Sequence, residues 1–91
     1  MIDRYSRKEI KEIWELYSKY SYYLKVELAV CEAYCQIGKI PEASLKYIRN
    51  NASFSLERID AIEQEVKHDV IAFLTNVNET VGKENAKYIH M

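Results

Sequence analysis

Apolar residues along this chain recur at the three- and four-residue intervals of a helix face, and no stretch alternates in the two-residue rhythm of a strand. Ile10, Ile13, Trp14 and Tyr17 make the first stripe. It is introduced by Ser6-x-x-Glu9, a capping box, with Tyr5 and Ile10 placed as the flanking hydrophobic staple. The segment Ser18-Lys19-Tyr20-Ser21 interrupts that stripe and predicts a break, with Ser18 or Ser21 capping a second helix. Leu24, Leu28, Cys31 and Cys35, or Val30 with Ile37, continue an apolar face to Gly38; there the glycine, followed by Pro41, predicts a stop and a new start. Residues 41–50 predict a short helix or turn carrying Leu45 and Ile48. Asn50-Asn51-Ala52-Ser53 reads as a connector into a third stripe, Leu56, Ile59, Ile62 and Val66. A fourth, Val70, Leu74, Val77 and Val81, is closed by Gly82, and Lys83 to Met91 reads as a loop leading into a short helix. The expected fold class is all-α: residues 1–91 as a single small helical domain of about four to five helices.

Composition narrows the partners. Apolar residues at 48% and charged residues at 30% are an ordinary globular mix, and thirteen basic against fourteen acidic groups leave a net charge of −1. Such a balance offers no long-range field to draw the chain to nucleic acid or to an anionic membrane. The first eight residues include Asp3, Arg4, Arg7 and Lys8 with no apolar stretch behind them, so no secretory signal is expected, and no apolar run approaches the roughly 18 residues of a membrane span. Cys31 and Cys35, one helical turn apart, read as small core residues of a reduced, cytoplasmic protein rather than a disulfide framework. His68 and His90 are the only histidines, and neither Cys-x-x-Cys nor His-x-x-x-His spacing occurs, so no metal site is expected.

Candidate chemistry sits where the third stripe ends and the fourth begins. Lys67-His68-Asp69-Val70 puts a histidine and a carboxylate at a helix start, beside unpaired N–H groups and the positive end of a helix dipole. That setting attracts anions and favours neutral imidazole, which suits a group that meets phosphate or carboxylate. Its plain structural reading is that Asp69 caps the helix from Val70 and His68 is the exposed residue before it. Arg4-Tyr5, just before the first cap, reads either as a helix-start staple with a solvated arginine or as a guanidinium fork and aromatic face for a phosphate or carboxylate.

Taken together, Met1-Ile-Asp-Arg-Tyr-Ser-Arg7, Glu27-Leu-Ala-Val-Cys-Glu-Ala-Tyr34, Ile62-Glu-Gln-Glu-Val-Lys-His-Asp-Val-Ile-Ala-Phe73 and Lys87-Tyr88-Ile89-His90-Met91 resemble, in order, the N-terminal segment of the adenylosuccinate lyase family within the fumarase/aspartase superfamily. In that family the last histidine precedes Gly-x-Thr-Ser-x-Asp, so the resemblance implies an N-terminal piece of a larger enzyme, cut before the central helical bundle and inactive alone. It implies a parent lyase that eliminates fumarate from adenylosuccinate to give AMP, and acts likewise on the succinylated aminoimidazole carboxamide ribotide of purine synthesis. No cofactor is implied. The parent would be a cytoplasmic homotetramer with active sites where subunits meet, taking small-molecule substrates and neither nucleic acid nor membrane. The resemblance implies Arg4 and Tyr5 as nucleotide-binding residues, Lys67, His68 and Asp69 as substrate contacts, and His90 as part of the nucleotide pocket. His68 is implied in either proton transfer or substrate positioning. Lys67 departs from the arginine common in the family and offers charge without a bidentate fork. Arg4, Tyr5, His68 and Asp69 are then expected to converge on one concave surface.

Two rival readings stand beside this one. A free-standing helical adaptor would use Trp14 and the tyrosines as hot spots for a partner helix. A helix-turn-helix DNA binder finds a turn only at Asn50-Asn51-Ala52 and has no basic recognition helix after it.

Overall fold

The computed structural model describes residues 6–90, and the backbone there is helical with short connections. Helix α1 spans Arg7–Gln36, α2 Glu42–Asn51, α3 Leu56–Val66, α4 Asp69–Val81 and α5 Lys83–Ala86. The Ser6 cap forms as expected, its Oγ accepting from the Glu9 N–H at 3.1 Å. Tyr5, the other half of the expected staple, lies outside the described residues, and Ile10 is exposed.

The expected break at residues 18–21 does not occur, because α1 runs through it without interruption. Tyr20 is the reason. It stands three residues after Tyr17 and four before Leu24, so it carries the stripe forward, and its ring is 3% exposed. Serine inside a helix costs only a few tenths of a kcal/mol relative to the best formers, too little to end one. What changes near residue 19 is the surroundings: residues 6–18 are exposed, whereas Tyr20 and Cys31 are buried. Thirty residues at 1.5 Å each give about 45 Å of helix, which accounts for a longest dimension of 48 Å.

Helices α3 and α4 form an antiparallel pair, α4 meeting α1 through Lys19, Tyr20 and Tyr23, and α2 packs against α1, α4 and α5. Their core is aromatic at one end. Phe73 stacks on Tyr20 with centroids 5.2 Å apart and planes 9° from parallel, and it meets Tyr23 and Phe54 edge-on at 5.9 and 5.8 Å. Ile48, Val77, Val81 and Cys31 fill the other end. The buried face of α4 is therefore Ala72, Phe73, Asn76, Val77 and Val81, rotated from the expected stripe so that Val70 and Leu74 are only partly covered. Polar groups of this face tie down the α2–α3 connector. Asn76 Oδ1 accepts from the Ser55 N–H at 2.6 Å, and Thr80 Oγ1 accepts from the Ser53 N–H at 3.0 Å. Arg58 clamps Glu79 with two guanidinium nitrogens at 2.9 and 2.6 Å, a bidentate pair between α3 and α4.

After Gly82, at φ +82°, the single turn of α5 begins at once instead of the expected loop. Ile89 then folds back into the core, and Cys31 Sγ donates to the Tyr88 carbonyl at 3.5 Å. Both cysteines are unbridged, and burial pushes the Cys31 thiol up. None of the described helices is long and apolar enough to cross a membrane.

Candidate functional site

The α3–α4 elbow is two residues long, and its geometry differs from the one expected. Helix α3 ends at Lys67 in the left-handed region, φ 59°, with its N–H donating to the Glu63 carbonyl at 2.8 Å. A left-handed non-glycine residue costs roughly 1–2 kcal/mol, so the elbow is held by its surroundings and not by local preference. His68 follows in extended conformation, and Asp69 is the first residue of α4.

The cap of α4 is His68, not Asp69. The Ile71 N–H donates to His68 Nδ1 at 3.2 Å, the geometry in which a serine or aspartate oxygen normally serves. Asp69 Oδ1 instead accepts from the adjacent Val70 N–H at 2.9 Å. Because Nδ1 accepts that N–H, the hydrogen-bond geometry assigns the ring's own hydrogen to Nε2. That tautomer presents a donor outward. Glu63, Gln64, Lys67, His68 and Asp69 together line a shallow open depression over the elbow.

One side chain that the sequence did not single out reaches this place. Lys19 Nζ lies 3.0 Å from Asp69 Oδ2, bridging 50 residues of chain, and sits over the Tyr20 and Tyr23 rings at 5.1 and 5.9 Å. The hydrogen bond to Lys19, with that from the Val70 N–H, holds the Asp69 carboxyl below its ordinary value. Reciprocally, the hydrogen bond to Asp69 raises the Lys19 ammonium above its own. No sequence signal connects residues 19 and 69, because the pairing exists only once α1 lies along α4.

His90 is fixed elsewhere on α1. Its Nδ1 is 2.9 Å from Glu27 Oε2, and its backbone is left-handed at φ 58°. Glu27 follows Lys19 by eight residues on the same helix face, about 12 Å further along the axis. Between them Tyr23, Val26, Val70, Phe73 and Leu74 line a narrow apolar notch with Glu27. The elbow and His90 therefore flank one side of the α1–α4 seam. Arg4 and Tyr5 lie outside the described residues. The described start of α1, Ser6, precedes Lys19 by thirteen residues, about 20 Å of helix.

No family model matches the sequence. Over 90 residues, 99% of this chain, 46% of positions are identical to a curated protein of Staphylococcus saprophyticus named adenylosuccinate lyase. This chain is homologous to adenylosuccinate lyase. The chain spans about a fifth of that protein's length, 21%. The similarity thus extends across nearly the whole sequence. The all-helical architecture is that expected of a helical region of the lyase.

Proposed function

We propose that this chain is the N-terminal helical domain, residues 1–91, of an enzyme that eliminates fumarate from adenylosuccinate to give AMP, with the succinylated carboxamide ribotide of purine synthesis as a second substrate. Identity of 46% across 99% of the chain is the observation that carries this reading. The reaction needs a base to take a proton beside a carboxylate, an acid to protonate the leaving nitrogen, and cations to hold phosphate and carboxylates. This chain supplies binding groups to that pocket: Arg4 and Tyr5 before α1, Lys67, His68 and Asp69 at the elbow, and His90 at the seam. We also assign the parent to the cytoplasm as a homotetramer, with no cofactor and no nucleic-acid or membrane partner.

Geometry supports positioning over proton transfer for His68. With Nδ1 engaged by the Ile71 N–H, the ring offers Nε2–H to a substrate oxygen. To act as an imidazolium acid it would need a proton on Nδ1, and that would turn the cap acceptor into a donor facing another donor. The assigned role is therefore a neutral hydrogen-bond donor at a helix start, where the aligned N–H groups already favour an anion.

The direct test is a graft. Replacing the matched 90 residues of the Staphylococcus saprophyticus protein with this chain should give an enzyme that releases fumarate from adenylosuccinate at a rate within about tenfold of its parent, or 1.4 kcal/mol. The isolated chain should release none. A folded, fully assembled graft without fumarate release would overturn the reading.

A further inference from the structure

We propose that Lys19 is a positioning residue for substrate binding, acting through Asp69 to fix the orientation of the His68–Asp69 elbow; the proposal rests on the elbow being a substrate-binding element. Three observations carry it. First, the elbow is short and locally unfavourable, with Lys67 left-handed and His68 extended, so its direction must be set from outside. Second, Lys19 reaches it from a distant part of the chain. Its ammonium is 3.0 Å from Asp69 Oδ2, while Oδ1 takes the Val70 N–H, so both carboxylate oxygens are engaged and the side chain has one orientation. Third, Lys19 is itself held. Its ammonium lies over two tyrosine rings, one of them buried against Phe73, which converts a flexible lysine into a fixed point charge.

Position on α1 gives this contact its meaning. Lys19 stands where the helix passes from its exposed arm into the packed body, since Tyr20 is the first buried residue among the described ones. It thereby sets the distance between the start of α1 and the elbow. A lysine that merely solubilised the surface would show neither the ring contacts nor a partner fifty residues away.

The test uses Lys19→Met, which keeps the stem and removes the charge, and Lys19→Arg, which keeps the charge. In the active graft, Lys19→Met should raise KM for adenylosuccinate about three- to tenfold while kcat changes less than about twofold, the signature of lost uniform binding. Lys19→Arg should recover most of that loss. In the 91-residue chain, Lys19→Met should move the Asp69 carboxyl midpoint up toward the ordinary value of about 3.9 and shift the His68 ring nitrogen resonances. An active graft with unchanged KM in Lys19→Met, or with Lys19→Arg as impaired as Lys19→Met, would refute the role of Lys19 and leave the proposed function standing. An inactive unmodified graft would remove the proposed function instead. In that case unchanged Asp69 titration and His68 resonances in Lys19→Met would still refute the coupling.

Discussion

Replacing His68 separates its two jobs, capping α4 and meeting a ligand. In His68→Ala the Ile71 N–H loses its acceptor at 3.2 Å. Caps are worth about 0.5–2 kcal/mol, and a long, exposed contact belongs at the lower end, about 0.5–1 kcal/mol. For a chain of this size that is a fall in Tm of about 2–8 °C. His68→Asn restores a good capping oxygen, and asparagine ranks among the best residues at this position. The asparagine variant should therefore be at least as stable as the unchanged chain and clearly more stable than the alanine one. Thermal unfolding followed by far-ultraviolet circular dichroism reads both. In the grafted enzyme the asparagine gives no rescue: both variants should lose at least about tenfold in kcat/KM, about 1.4 kcal/mol of transition-state binding. If His68→Ala melts with His68→Asn, the cap contributes nothing and the first role is refuted. If His68→Asn keeps full turnover, the imidazole is only a cap and the second role is refuted.

Other consequences are as direct. Phe73→Ala empties the centre of the aromatic cluster and should destabilise by about 3–5 kcal/mol, enough to leave the chain largely unfolded by circular dichroism at 25 °C; a folded variant would show that Tyr20 and Phe54 close over the gap. Asp69 has a depressed folded-state pKa, so its contribution is present above the unfolded value near 3.9 and is lost as pH falls through the folded one. Lys19 is raised, so its contribution is complete below about 10.4 and lost as pH rises through the folded value. Asp69→Asn should accordingly lower stability at pH 7 and make no difference at the acid end of the window, and a deficit that persists in strong acid would contradict the pairing. Lys67→Gly relieves the left-handed residue at the end of α3 and should be neutral or stabilising by up to about 1 kcal/mol in chemical denaturation. A thiol reagent should modify Cys35 well before Cys31, which is buried with its thiol pushed up; mass mapping of the first adduct decides.

The helical character and four of the five helix starts were legible because the Ser6 cap, Gly38-x-x-Pro41 and the apolar spacing are local signals. The break predicted at residues 18–21 rested on two serines and a lysine, and it does not form because the Tyr20 ring keeps the three-and-four rhythm through them. The end of α3 carried no glycine, so Lys67 gave no warning of a left-handed stop. At the site, the His68-Asp69 junction was visible, but which residue capped was not: histidine is an uncommon cap, and the rule pointed to the neighbouring aspartate. Lys19 and Glu27 were invisible as partners of Asp69 and His90. Both pairings span 50 or more residues, and one-dimensional patterns hold no record of which helix faces which.

The exposed arm of α1 makes one continuous helix into two thermodynamic regimes. From Tyr20 onward its amides are locked by the packed body and open only with global unfolding, whereas those before Lys19 depend on intrinsic propensity and the Ser6 cap, which in water hold a short segment only marginally. Hydrogen exchange along α1 should fall by orders of magnitude across a few residues near position 19, with no change of backbone geometry to announce it.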